Sequence, residues 1–305
     1  MYRNRTRRIV AVLGFALGLG IVLPAAAGAR HRIRFDRVAK VGYRYGLKVQ
    51  GTFSGTTLIT AGGQKVKDEQ EKYSYEYEAV VKVLKVDAKG RPIRELHRVV
   101  RLTRAEKGGR KTLLKPATLV TAWIVGGKKK FETSQGPVSR EARDVLKSAV
   151  DFPHSGVTTD DIFGSRRARK IGERWPINAK LALREVSTIF GRKQVPSGAS
   201  ATGHVKLQRR VREAGLPCLQ LDSKMTIKGL SPLPPTFTLD KAHVQASNRW
   251  VLPLNLRYPP ARMSMKLLVV IRAGMPATGQ RPPVRIDMRI ERTGTARLKP
   301  LRKNP

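Results

Sequence analysis

The chain has 305 residues, of which 40% are apolar, so it is long enough for one large or two modest domains with a real core. Its 61 Lys and Arg residues against 22 Asp and Glu residues give a formal net charge of +39, spread along nearly every segment. This composition excludes a largely disordered chain. An anionic partner would account for the charge, but a basic solvated surface without a dedicated ligand is the simpler explanation.

Residues 1–29 have the pattern of an export signal. A basic start, Arg3–Arg8, precedes the apolar stretch Ile9–Leu23 and the small-residue cleavage motif Ala27–Ala29. An uncleaved anchor is the alternative, because the apolar stretch and the residues after it are just long enough to span a bilayer. The paired arginines also leave twin-arginine export open. We predict cleavage and a secreted or periplasmic protein with no transmembrane segment afterwards, a compartment that argues against nucleic acid as the partner.

After the signal, apolar and polar residues alternate, which is the period of a β-strand with one buried face. The clearest strand places six apolar residues on one face: Tyr73, Tyr75, Tyr77, Ala79, Val81 and Val83. Turn residues then predict three hairpins, through Asp87–Pro92, Lys107–Arg110 and Gly126-Gly127. The last of them pairs Leu119–Val125 with Lys129–Thr133.

The period changes to that of a helix at Ser139, a suitable N-cap. The apolar residues that follow recur on one helical face: Ala142, Val145, Leu146, Ala149 and Val150. We predict an amphipathic helix over residues 139–150 that covers one face of the preceding sheet. Residues 151–170, which are punctuated by proline, glycine and aspartate, are interpreted as a linker.

The second half repeats the first. Each half opens on a Gly-x-Arg-aromatic corner, at residues 42–45 and 172–175. An ungapped alignment of the two halves that places Gly90 opposite Gly215 also matches five pairs of turn or apolar residues. These pairs are Val80 with Val205, Pro92 with Pro217, Leu96 with Leu221, Val100 with Met225 and Leu102 with Ile227. We therefore predict a mainly β fold of two similar antiparallel units, each a curved sheet or half-barrel, over residues 30–150 and 171–305. The second unit is predicted to lack a counterpart of the helix and to end in a frayed basic tail from Thr293.

This two-copy layout, with an export signal and the corner Gly172-Glu173-Arg174-Trp175, resembles a class of secreted bacterial proteins of similar length that have no assigned activity. The resemblance implies an all-β duplicated fold. It implies no catalytic residue.

Aromatic residues are the main candidates for ligand binding. They concentrate in the first unit, with one at the second corner: Tyr43, Tyr45, Tyr73, Tyr75, Tyr77 and Trp175. Concave aromatic sheets bind sugars, acyl chains or peptides, but the same residues also suit a core beneath the helix.

Catalytic signatures are missing from the sequence, and we expect no cofactor. The one acidic and imidazole grouping lies in the linker: Asp151, His154, Asp160 and Asp161. It could hold a metal or supply an acid and a base, but Asp160 and Asp161 suit equally the N-terminal cap of a short helical turn. The single cysteine, Cys218, excludes an intramolecular disulfide and is predicted to be a buried apolar residue.

The sequence thus favours an exported, non-enzymatic binding or structural protein of the cell envelope, for an anionic or amphiphilic component such as a lipid or a polysaccharide. One alternative is a carrier of hydrophobic ligands, which requires an apolar cavity on the order of several hundred cubic ångströms between sheet and helix. Another is a hydrolase or metal-dependent enzyme that uses the linker from Asp151 to Asp161.

Overall fold

The computed structural model of the protein describes residues 29–152, 156–189, 195–230, 233–234, 236–279 and 282–301. The predicted export signal lies outside these residues, apart from its last position. Within the described ranges, no helix combines the length and the apolar character needed to cross a bilayer.

The described residues form one open antiparallel sheet of 13 strands. In chain order the strands are β1 Arg44–Ala61, β2 Gln64–Val86, β3 Pro92–Glu106, β4 Gly109–Leu114, β5 Leu119–Val125, β6 Lys128–Thr133, β7 Gly136–Pro137, β8 Arg174–Pro176, β9 Ser200–Glu213, β10 Leu216–Lys228, β11 Thr238–Pro253, β12 Arg262–Met275 and β13 Val284–Pro300. Their spatial order is β7-β6-β5-β3-β2-β1-β13-β12-β11-β10-β9-β8, and β4 pairs with β3. The predicted mainly β, antiparallel fold is confirmed, and both halves of the chain contribute strands to the same sheet.

Three helices accompany this sheet in the described part of the chain: α1 Arg140–Ala149, α2 Thr159–Phe163 and α3 Ala179–Ile189. Helix α1 matches the prediction, because the Ser139 hydroxyl accepts a hydrogen bond from the Ala142 amide at 3.3 Å and Val150 follows its last turn. Helix α3 was not predicted. It lies between β8 and β9, before the long strands of the second half, whereas α1 follows the strands of the first half.

The two halves of the sheet are joined by β1 and β13. These strands pair from Tyr45 opposite Pro300 to Ala61 opposite Val284. The predicted frayed tail from Thr293 was therefore wrong as far as Pro300, because those residues continue β13 and pair with the start of β1. No local pattern shows this, since the partner strand lies at the other end of the chain.

The inner face of the sheet carries the core. The six apolar residues predicted to share one face of β2 are all buried, and they pack with the apolar side of α1. A second core contains Trp175, Trp250 and helix α2. The segment before β1 connects the two, because Ile33 and Phe35 belong to the second core while Ala39 and Tyr43 pack against the first.

The two corners and the two turns have equivalent geometry. Gly90 and Gly215 both have positive φ, +75° and +79°, in the turns of hairpins β2–β3 and β9–β10. However, Tyr45 lies opposite Val81 and Trp175 lies opposite Val205, so the structural counterpart of Val205 is Val81 and not Val80. Val80 is 36% exposed, whereas Val81 and Val205 are fully buried. The ungapped frame was wrong by one residue here because β-bulges in both hairpins shift the register.

At the junction between the halves, Gly51 is a position where we expect a side chain to lower the stability of the fold. A Cβ at Gly51 would lie 2.6 Å from the carbonyl oxygen of Thr293 on β13 and 2.5 Å from the Tyr75 hydroxyl. We expect Gly51→Ala to lower the free energy of unfolding by about 1–3 kcal/mol, because backbone and side chain must both move. Urea denaturation measures this change.

Gly108→Ala is the matched control, because a Cβ there meets nothing within 4 Å. Equal stability of the two variants would contradict the close packing of β1 on β13.

Candidate functional site

A cavity of about 1910 Å³ lies between the inner face of the sheet, helix α1 and the segment before β1. Both halves of the chain line it. It exceeds the roughly 300–1,000 Å³ of ordinary small-molecule pockets, and it is partly open to solvent.

The floor of the cavity is apolar and comes from the three central strands. On β1 and β13, Leu47 lies opposite Leu298 and Val49 lies opposite Ala296. On β12, Met263 lies opposite Ala296, and Met265 and Leu267 continue the lining. The alternate residues of the same strands, such as Lys48 and Arg297, are exposed on the other face. Period-two alternation in three strands thus builds one apolar floor.

Basic side chains outnumber acidic ones in the lining. The basic residues are Arg37, Lys40, Arg91, Lys128, Lys129, Lys130, Arg143, Lys147, Arg257 and Arg292, and the acidic ones are Asp36, Glu95, Glu132, Asp151 and Glu185. An apolar floor bordered by a net positive charge suits a ligand that has both an apolar part and an anionic part.

Two of these cations are held by helix α1. The Lys129 ammonium donates to the carbonyl oxygens of Lys147 and Val150, at 3.0 Å to the former, at the C-terminal end of the helix. Burial lowers the pKa of Lys129, Asp151 raises it, and Arg292 lowers it further. The Arg292 guanidinium on β13 donates to the Ser148 hydroxyl. Both cations therefore fix the helix over the sheet as well as charging the cavity wall.

A buried polar network lies beneath the helix on the inner face. The Tyr45 hydroxyl donates to Glu95 Oε1 at 2.8 Å, His97 Nε2 lies 3.2 Å from Glu95 Oε2, and the Tyr77 hydroxyl lies 2.8 Å from His97 Nδ1. Burial is the main cause that raises the pKa of Tyr45 and of Tyr77, and Glu95 raises both further. The polar atoms satisfy one another, so this network stabilises the first core.

Sequence analysis did not identify this network. The sequence pattern could have shown it, because Glu95 and His97 are two residues apart and therefore share the inward face of β3 with buried Val99. A charged residue on an otherwise apolar strand face requires a partner.

The aromatic candidates fall into two groups. Tyr43, Tyr45 and Tyr75 line the cavity. Tyr73 packs between Phe53 and the Arg104 guanidinium, Tyr77 is fully buried, and the Trp175 indole donates to the Phe163 carbonyl at 2.8 Å. Within the described residues, the structure thus places half of the candidates at the cavity and half in the two cores.

The linker acids have structural roles. Asp160 accepts hydrogen bonds from the Phe35 and Asp36 amides, at 2.8 and 3.2 Å. Asp161 forms a capping box with Thr158 at the start of α2, as the capping interpretation requires. Asp151 lines the cavity, and His154 lies outside the described residues. The described ranges contain no group of three or more His, Cys, Asp or Glu side chains that could hold a metal ion.

Cys218 is buried, as predicted, and burial raises the pKa of its thiol.

No protein-family model and no curated protein matches the chain. Among solved structures, one that concerns lipid–protein interactions in lipovitellin is similar at a TM-score of 0.40 and 6% identity, over 89% of this chain and 26% of lipovitellin. This chain therefore spans about a quarter of that protein.

Two outer membrane proteins are similar at lower scores. One is the COG4313 outer membrane channel of Pseudomonas putida F1, with a TM-score of 0.20 and 9% identity over 86% of this chain and 97% of the channel. The other is OprG of Pseudomonas aeruginosa, with a TM-score of 0.16 and 8% identity over 87% of this chain and 100% of OprG. These values are too low to assign a family or a function.

In the buried network, removal of the Tyr45 hydroxyl should lower the free energy of unfolding. Tyr45→Phe leaves Glu95 Oε1 without the donor that it has in the protein. We expect the free energy of unfolding to fall by about 1–3 kcal/mol, because a buried acceptor loses its partner. Urea denaturation at neutral pH measures it.

Tyr43→Phe is the matched control, because the Tyr43 hydroxyl is buried but has no hydrogen-bond partner among the described residues. We expect little change in stability. A loss in Tyr43→Phe as large as that in Tyr45→Phe would show that the network contributes nothing.

Proposed function

We propose that this protein is an exported, non-enzymatic binding protein of the cell envelope whose cavity holds an amphiphilic lipid. The apolar part of the ligand lies along the floor formed by β1, β12 and β13, and its anionic part lies beside the basic lining. The observation that carries the proposal is one cavity of about 1910 Å³ with an apolar floor and a net basic lining.

Burial of hydrocarbon supplies the affinity in this proposal. Each square ångström of apolar surface removed from water contributes about 25 cal/mol, so a long acyl chain on this floor gains several kilocalories per mole before the costs of association. Tyr43, Tyr45 and Tyr75 contact the ligand through their rings.

The other two candidate functions have less support. A module for an extended anionic polymer needs no apolar cavity, because surface charge suffices. A hydrolase in the linker needs free acids, whereas Asp160 and Asp161 bind backbone amides. The lipid carrier is the candidate that uses both the cavity and the charge.

Filling the cavity should abolish lipid binding. Ala296 lines the floor at the centre of the sheet, so Ala296→Trp places a large side chain where the ligand lies. We expect the affinity for a fluorescent fatty acid to fall at least about tenfold, as expected when roughly 1.4 kcal/mol of contact is lost. We also expect less lipid to co-purify with the variant, measured by mass spectrometry of an organic extract.

Val100→Trp is the matched control, because Val100 on β3 is 46% exposed and lies outside the cavity lining. A thermal melt of each variant establishes that it is folded. A wild-type protein that neither carries lipid nor binds the fatty acid contradicts the proposal, and so does equal binding by the two tryptophan variants.

A further inference from the structure

Arg37 is a partly buried cation in the cavity lining, and two of its nitrogen atoms are buried without a hydrogen-bond partner among the described residues. These two atoms are Nε and Nη1, whereas Nη2 donates to the Pro253 carbonyl at 3.0 Å. A buried guanidinium normally has its N–H groups paired, because each unpaired group loses its hydrogen bonds to water. Burial also lowers the pKa of Arg37.

Asp160 does not form an ion pair with Arg37 among the described residues. Asp160 raises the pKa of Arg37 through its charge, yet its two carboxylate oxygens accept the Phe35 and Asp36 amides. In the described ranges, no ion pair involves Arg37. The cation is therefore available to an anion from outside the chain.

The Tyr43 hydroxyl is a second hydrogen-bond donor in the cavity lining that has no acceptor among the described residues. The hydroxyl is buried, and the Tyr43 ring stacks on Tyr45 with 6.0 Å between the ring centroids. Burial raises the pKa of Tyr43, with a contribution from Tyr258, so the hydroxyl stays protonated and can donate.

Both groups belong to the same end of the sheet. Arg37 lies in the segment before β1 and contacts the last residue of β11, while Tyr43 immediately precedes β1 and lies near Tyr258 in the loop after β11. Exposed Lys40 and Arg257 line the cavity beside them, so this end communicates with solvent.

We infer that Arg37 and Tyr43 form the oxyanion site of the cavity, which takes the carboxylate or phosphate head of an acyl ligand whose chain lies on the apolar floor. This inference rests on the proposed function and specifies its ligand. The guanidinium and the phenol donate to the anionic oxygens, and the head stays at the end that opens to solvent. Charge-assisted hydrogen bonds of this kind are the strong ones in proteins.

The test compares ligands that share one chain and differ only at the head. Oleate, oleoyl lysophosphatidate and the neutral methyl oleate compete with a fluorescent fatty acid for the full-length mature protein. We expect Arg37→Gln to weaken binding of at least one anionic ligand about 10- to 100-fold, and to change methyl oleate by less than about twofold. The anionic ligand with the larger loss identifies the head as carboxylate or phosphate.

Three further variants complete the experiment. Tyr43→Phe should cause a smaller loss, about three- to tenfold, for the same anionic ligand. Arg32→Gln is the matched control, because it removes the same charge from an exposed position of the same segment and should leave all affinities unchanged. Arg37→Lys keeps the charge and replaces Arg37→Gln if a thermal melt shows that the latter is unfolded; we expect it to retain part of the anion preference.

Two results would overturn the oxyanion site and leave lipid binding intact. One is equal affinity of the wild-type protein for charged and neutral ligands, and the other is an equal effect of Arg37→Gln on all three. Failure of the wild-type protein to bind any of the three ligands overturns the proposed function itself, so the two failures are distinguishable.

Discussion

The pairing of β1 with β13 is the constraint on which the structure depends. It brings the two ends of the described chain together at the centre of one sheet and aligns their inward residues, so that Leu47 and Val49 continue into Leu298 and Ala296. Without it, each half would present a smaller apolar face with an exposed edge strand. The continuous inner face and the cavity above it both follow from this one register.

Charge inside the cavity is tolerated because the fold supplies partners for most of it. Lys129 binds the carbonyl end of α1, and Glu95 binds Tyr45 and His97. Arg37 and Tyr43 differ, since donors on both are buried without acceptors among the described residues. Buried polar groups in folded proteins are normally hydrogen-bonded. The contrast between satisfied and unsatisfied groups separates the structural part of the cavity from its proposed binding part.

Most local structure followed from local pattern. Alternation predicted the buried face of β2, Gly126-Gly127 predicted the β5–β6 hairpin, and helical spacing after Ser139 predicted α1 with its cap. Each of these depends on neighbours within a few residues, so the signal is contained in the sequence itself. Candidates Tyr43, Tyr45 and Tyr75 line the cavity for the same reason, because their alternation set the face on which they lie.

Residue patterns alone predicted a mainly β chain, its hairpin turns, the buried face of β2 and the helix α1. Three features became evident from the folded chain alone. Strand β13 runs on to Pro300 beside β1, Ile33 and Phe35 pack in the second core, and Val81 rather than Val80 corresponds to Val205. Those outcomes depend on pairing between distant segments and on bulges that shift register by one residue. Periodicity reflects residues that are close in the sequence, so it carries no information about which distant segments pair with each other.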